Sequence, residues 1–135
     1  MALDATKLIQ AAAAGNRSLV EERLAGGTDP NVPDGNGSIA LLVAAGHGHG
    51  AIVAVLLANG ADPNIQNSDG HTALMMSVLE RDTEIIAMLL RNEADPNVQN
   101  NNGDTALIWA ARNRIGFIGQ QAINDHHTIA LCCHN

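Results

Sequence analysis

One short motif recurs at a constant interval along this chain of 135 residues. It occurs as Asp29-Pro30-Asn31-Val32, Asp62-Pro63-Asn64-Ile65 and Asp95-Pro96-Asn97-Val98, each copy shifted by 33 residues. Three further sets keep this period: Gly37, Gly70 and Gly103; Ala40-Leu41, Ala73-Leu74 and Ala106-Leu107; and Leu24, Leu57 and Leu90. A fixed period of about 20 to 50 residues indicates stacked copies of one small unit, none of which buries its apolar face alone.

Each period has the pattern of two short helices. In the third copy Thr72 can cap the first helix, because a threonine side chain accepts a hydrogen bond from a free backbone N–H. Thr6 and Thr105 share this register, whereas Ile39 breaks it and predicts a less well capped helix in the second copy. Apolar residues follow at helical spacing: Leu74, Met75 and Val78 in the first helix, then Ile85, Ile86, Leu89 and Leu90 in a second helix from about Thr83.

Glycine and turn residues separate these helices. Gly60 is suited to the left-handed conformation that ends a helix, and Asp62-Pro63-Asn64 is typical of a turn. Asn64 and Asn97 can bond the local backbone and bridge to the next turn. Gly48 lies between two helices, and Arg81 and Arg114 occupy its register, at a cost in backbone energy if this position has a positive φ. Helices of about 8–10 residues are unstable alone, so neighbouring copies must hold them.

These residues resemble the ankyrin repeat family. The resemblance is carried by Gly70-His71-Thr72-Ala73-Leu74, by Ala44-Ala45 and Ala110-Ala111, and by the run from Leu56 to Asn64. Alanine replaces the family's usual proline after the threonine, and Leu42, Met75 and Ile108 stand where the family usually has histidine. The resemblance implies an all-α ankyrin-repeat solenoid of helix–turn–helix units with projecting hairpins, which binds other proteins.

The period divides a single domain into copies. We expect an N-terminal cap repeat at 5–34, complete repeats at 35–67 and 68–100, and an irregular fourth repeat at 101–123. Gly116 and Gly119 weaken the second helix of that fourth copy, and we expect 124–135 to be a disordered tail. A natural cap and a truncated terminus are the alternatives for the segment after Asn113.

Charge and cysteine content exclude several classes of protein. Seven lysine and arginine side chains stand against 14 acidic ones, a net charge of −7, and no basic stripe is present to bind nucleic acid or an anionic membrane. No apolar run approaches the roughly 20 residues of a membrane span. The N-terminal stretch lacks the features of a signal peptide. The adjacent Cys132 and Cys133 cannot staple the fold, so we expect a cytoplasmic protein.

No local motif indicates catalysis. His47 and His49 alternate with glycine, but neither a preceding strand nor the lysine of a phosphate-binding loop accompanies them. A metal-binding tail is the least favoured function; its candidate ligands are His126, His127, Cys132, Cys133 and His134. Vicinal cysteines do not readily bind one zinc ion together. We therefore predict a protein that is not an enzyme and needs neither cofactor nor metal.

The resemblance implies that hairpin tips and inner helices form a groove for a protein partner. By register, the tip residues are Asn36, Ser38, Asp69, His71, Asn102 and Asp104. On the inner helices they are Gly46, His47, Leu79, Glu80, Arg112 and Asn113, with Val43, Met76 and Trp109 in one further register. Trp109 is the strongest candidate anchor, since tryptophan is enriched in binding hot spots. Ordinary packing between repeats is the alternative for this ring.

A second hypothesis is self-association. A last repeat without a polar cap would expose apolar surface, so two stacks could dimerise end to end through the segment from Ile115 to Ile123. We expect a monomer, with such a weak dimer as the alternative.

Overall fold

The computed structural model describes residues 2–113, and the side chains from Asp4 onward. Seven α-helices and no strand occupy this part of the chain. They are α1 (Ala2–Ala14), α2 (Arg17–Ala25), α3 (Ala40–Gly46), α4 (Gly50–Ala58), α5 (Ala73–Leu79), α6 (Thr83–Arg91) and α7 (Ala106–Arg112). Long connections without helix or strand join α2 to α3, α4 to α5 and α6 to α7, and each contains one copy of the Asp-Pro-Asn motif.

The helices form two rows. Helices α1, α3, α5 and α7 pack side by side in an inner row, and α2, α4 and α6 form an outer row. Each odd-numbered helix through α5 also packs on the helix that follows it in the chain. The all-α stack predicted from the repeat is thus confirmed.

Small and branched apolar side chains fill the space between the rows. The predicted stripes are buried: Leu74, Met75 and Val78 in α5, and Ile85, Ile86, Leu89 and Leu90 in α6. Alanines lie fully buried where inner helices meet, at Ala12, Ala44, Ala45 and Ala73. Because a methyl group fills little space, the inner helices can pack closely, which explains a core nearly free of aromatic side chains.

The helix starts follow the predicted capping pattern with one exception. The Thr72 and Thr105 hydroxyls accept hydrogen bonds from the N–H groups of Met75 and Ile108, whereas Ile39 provides no side-chain cap, as expected. The register also suggested that Thr6 begins a helix, and this is wrong. Helix α1 begins at Ala2 and includes Thr6, because alanine and leucine favour helix and Asp4 places a negative charge in the first turn.

The turns use the left-handed backbone conformation at fixed positions. Gly60 adopts it after α4, with φ of 90°, as predicted, and Gly48 adopts it between α3 and α4. At the equivalent positions of the next copy, Arg81 has φ of 57° and Glu93 has φ of 68°. A side chain is tolerated there only at a cost in backbone energy.

Asparagine side chains join successive turns. The Asn31 amide donates to the carbonyl of Gly60 at 3.0 Å, and its oxygen accepts from the N–H of Asp62 at 2.7 Å. Asn64 repeats this bridge with Glu93 and Asp95 in the next copy, as predicted. Each bridge thus connects consecutive units through their backbones.

Several predictions concern residues outside the described part of the chain. These are the second half of the fourth repeat, the dimerisation segment from Ile115 to Ile123, the tail at 124–135 and its candidate metal ligands. Within residues 2–113, no helix is both long enough and apolar enough to cross a membrane.

Candidate partner-binding surface

Each hairpin tip is held by one side chain at its base. The Oδ1 atom of Asp34 accepts hydrogen bonds from the N–H groups of Asn36 and Ser38, both at 2.9 Å. In the next two copies Asn67 and Asn100 bind their tips in the same way: the N–H groups of Asp69, His71, Asn102 and Asp104 donate to these side chains. The six tip residues predicted by register are therefore fixed at the backbone.

The second and third described hairpins pack against each other. The Asn101 N–H donates to the carbonyl of Asp69 at 3.1 Å, and the Asn101 amide donates to the carbonyl of Ser68 at 2.9 Å. A Cβ atom on Gly70 would lie 2.6 Å from the Asn101 Oδ1 atom and 2.7 Å from its backbone nitrogen. Only glycine allows this approach, so the spacing of these tips is fixed as well.

A cluster of four side chains connects the hairpins to α7. The Asp104 carboxylate accepts two hydrogen bonds from the Arg112 guanidinium, at 3.0 and 3.2 Å, and one from the Trp109 indole N–H at 3.3 Å. The His71 ring meets the Trp109 ring edge to face, with centroids 5.0 Å apart. Hydrogen bonds from Arg112 and Trp109 hold the pKa of Asp104 below its ordinary value, so this carboxylate is charged at neutral pH.

Trp109 lies partly buried against the core. Packing between repeats, the alternative role for this residue, therefore involves one part of its ring. The rest is accessible, and its orientation is fixed by Asp104 and His71. Asn113 caps the end of α7 and donates its amide to the carbonyl of Trp109 at 2.8 Å. The Asn113 carbonyl in turn accepts from Arg81 at 3.4 Å.

The remaining predicted residues lie on the inner helices or at their ends. Leu79, at the end of α5, is 53% exposed and is the one large apolar side chain exposed in the described part of the chain. Its neighbour Glu80 is exposed, and Met76 is partly buried against the core. His47 directly follows α3 as its C-terminal cap; its Nδ1 atom lies 2.8 Å from the Val43 carbonyl, and its ring stacks on that of His49.

We call the region formed by the predicted residues the tip-and-helix surface. It consists of the three hairpin tips, at 36–38, 69–71 and 102–104, and of the accessible residues of α3, α5 and α7 with those that end each helix. Three registers contribute to it: Ser38, His71 and Asp104 at the tips; Val43, Met76 and Trp109 in mid-helix; and Gly46, Leu79 and Arg112 near the helix ends. In the last described copy Asp104 bonds both Trp109 and Arg112, so its tip adjoins both helix registers there.

The structure brings His71, Asp104, Trp109 and Arg112 into direct contact. Asn36, Ser38, Asp69 and Asn102 hold tip positions without joining that cluster, and a binding role for all these residues remains a prediction. Sequence reasoning missed Asp34, Asn67 and Asn100, which position the tips. Their 33-residue spacing, with an oxygen-bearing side chain in each copy, was the signal that could have revealed them.

Nothing in residues 2–113 assembles a metal site, since no three histidine, cysteine or acidic side chains converge there.

The two rows of helices and the projecting tips define a repeat protein built from one helix–turn–helix unit. A family model described as ankyrin repeats (3 copies) matches residues 8–100 and again residues 52–123. The chain therefore belongs to the ankyrin repeat family. Members of this family are generally protein–protein interaction modules and are typically not enzymes. No curated protein matches the chain at a significant level.

Proposed function

We propose that this chain is a non-enzymatic module that binds a protein partner through the tip-and-helix surface. The observation that carries the proposal is the cluster around Trp109. Its ring is partly accessible, and Asp104 and His71 fix its orientation before any partner arrives. Aromatic side chains held in this way are typical anchors of protein interfaces.

Preorganisation is the physical basis of this function. Ordering a mobile side chain on binding costs about 0.5–1.5 kcal/mol, and ordering a loop costs more. In this protein the tips are bound by Asp34, Asn67 and Asn100, and the Arg112 side chain is paired with Asp104. Because these groups are already ordered in the free protein, little ordering cost is left to reduce the affinity for a partner.

The chemistry of the surface indicates a partner that is partly polar. Amide, hydroxyl and carboxylate groups are found at the tips, while the apolar Met76, Leu79 and Trp109 lie on the helices. Protein interfaces outside obligate complexes have a comparable mixture, with apolar anchors at the centre and polar groups at the rim.

The test compares two variants for binding and folding. The partner is first identified by affinity capture and mass spectrometry and then purified. We expect Leu79→Ala and Trp109→Ala each to lower the affinity for this partner by about tenfold. Leu79 is exposed, so its truncation should leave the melting temperature nearly unchanged. Ala51→Ser, on the exposed side of the outer helix α4, is the control and should bind normally.

Unchanged partner affinity in the folded Leu79→Ala and Trp109→Ala variants would show that the partner binds elsewhere. Because Trp109 also packs on the core, its result counts only if circular dichroism shows a folded chain.

A further inference from the structure

The inner helices leave a gap in the tip-and-helix surface at Gly46. This residue ends α3 and stands in the register of Leu79 in α5 and Arg112 in α7. Leu79 is 53% exposed and the Arg112 side chain 63% exposed, so both project from the stack. Gly46 has no side chain, and the surface is therefore lower above α3 than above its two neighbours.

The space above Gly46 is open. Apart from its chain neighbours and the backbone of its own helix, a Cβ atom built on Gly46 would have one neighbour within 4 Å, the Cβ atom of Met76 at 3.9 Å, which is an ordinary van der Waals contact. Val43, one helical turn earlier in α3, is partly exposed beside it. Leu79 lies one turn beyond Met76 on the neighbouring helix. We call this space beside Val43 and Met76 the Gly46 recess.

The backbone of Gly46 does not require glycine. Its φ lies outside the left-handed region that Gly15, Gly48 and Gly60 adopt. A glycine in a helix is less favourable than alanine by about 1 kcal/mol. Neither backbone conformation nor crowding therefore requires glycine at this position.

The repeat that packs against Gly46 presents exposed acidic side chains. Asp69 at the neighbouring tip and Glu80 next to Leu79 are exposed, and no lysine or arginine of residues 2–113 forms an ion pair with either. The two guanidinium groups of the surface lie toward α7: Arg112 pairs with Asp104, and Arg81 reaches the Asn113 carbonyl.

From these observations we infer that the Gly46 recess receives one bulky apolar side chain of the partner, from a peptide segment that carries lysine or arginine beside it. The apolar walls match such a side chain, and the unpaired carboxylates match the flanking cations. This inference rests on the proposed function and adds the chemical class of the bound segment.

The probe is a phage-displayed library of random 12-residue peptides, selected on the full chain at low salt. We expect enriched peptides to share a leucine, methionine or aromatic residue next to lysine or arginine. Gly46→Leu fills the recess and should lower the affinity for a synthetic copy of such a peptide by about tenfold or more. Gly46→Ala should lower this affinity by less. Ala51→Leu adds the same side chain to the exposed side of α4 and should bind like the wild type.

A charge test accompanies the steric one. Glu80→Gln should lower the affinity for the peptide by about two- to fivefold. The difference in affinity between this variant and the wild type should shrink at high salt, because salt screens the attraction between exposed charges. Glu22→Gln, which removes an exposed carboxylate from the outer helix α2, is the matched control and should have no effect.

The possible failures differ between this inference and the proposed function. Suppose that the peptides bind Leu79→Ala and Trp109→Ala more weakly but bind folded Gly46→Leu as they bind the wild type. This result would contradict binding in the Gly46 recess and leave the proposed function intact. Enrichment of acidic peptides, or of none, would overturn the inferred chemistry. Enriched peptides unaffected by all of these variants would contradict both proposals.

Discussion

Arg81 and Glu93 adopt a left-handed backbone conformation that favours glycine. Glu93 has φ of 68°, and the equivalent residues one and two copies earlier are Gly60 and Gly27, with φ of 90° and 95°. Register alone aligns Glu93 with Gly60, so the strain could be foreseen once the left-handed turn was assigned. The neighbouring copy supplies the matched position that a test of this strain requires.

We expect Glu93→Gly to raise the free energy of unfolding by about 0.5–1 kcal/mol, since release of the left-handed strain exceeds the added entropy of the unfolded chain. Gly60→Glu should lower it by a similar amount, because a Cβ at Gly60 meets no atom within 4 Å and only the backbone opposes it. Urea unfolding measures both. A loss of stability in Glu93→Gly would mean that its side chain has a favourable role.

Side-chain contacts at the binding surface were largely beyond sequence reasoning. The Asp104 and Arg112 positions were both predicted as surface residues, but their pairing was not, because eight residues separate them and the hairpin must fold back over α7. No helical spacing rule covers such a pair. The choice of side-chain rotamers across a turn depends on packing, which register does not encode.

At the scale of single helices, local chemistry predicted the boundaries well. Thr72 and Thr105 cap their helices, and the Thr83 start of α6 follows directly after the Asp82 cap. The register failed at Thr6, because favourable helix formers upstream allow α1 to begin four residues earlier. A cap residue therefore marks a helix start only where the preceding backbone turns away.

The contribution of a cap can be isolated at Thr72. Thr72→Val keeps the shape of this buried side chain but removes the hydroxyl that accepts from the Met75 N–H, so we expect a loss of about 1–2 kcal/mol in the free energy of unfolding. Thr83→Val makes the same change at an exposed position next to the Asp82 cap and should cost much less. Equal losses in chemical denaturation would argue against the capping role.

At the scale of the whole molecule, the period predicted the order of packing. Copies repeated in sequence stack on their neighbours, which the two rows of helices confirm. The asparagine bridges were also predicted as a type of contact. Which backbone groups they join follows only from the distance between stacked turns, and the structure assigns them to Gly60 with Asp62 and to Glu93 with Asp95.

Removing one bridge should loosen one junction between units. We expect Asn64→Ala to lower the free energy of unfolding by about 1–2 kcal/mol and to accelerate hydrogen exchange at the N–H of Asp95, which loses its acceptor. Asn31→Ala should instead affect the N–H of Asp62. Asn59→Ala removes only a bond to Val55 within the same copy and should leave both amides protected. Uniform acceleration in all three variants would show that the bridges do not act locally.

The bridges also bear on how such a chain can lengthen during evolution. The hydrogen bonds between copies in residues 2–113 join partners 29 to 36 positions apart, from Asn31 with Gly60 to His49 with Ala13. A duplicated 33-residue segment inserted between two copies would meet the same partners at the same separations, so no loop would need to close over a longer distance. New surface for recognition can thus be gained in whole units, while the folding cost of each unit stays the same.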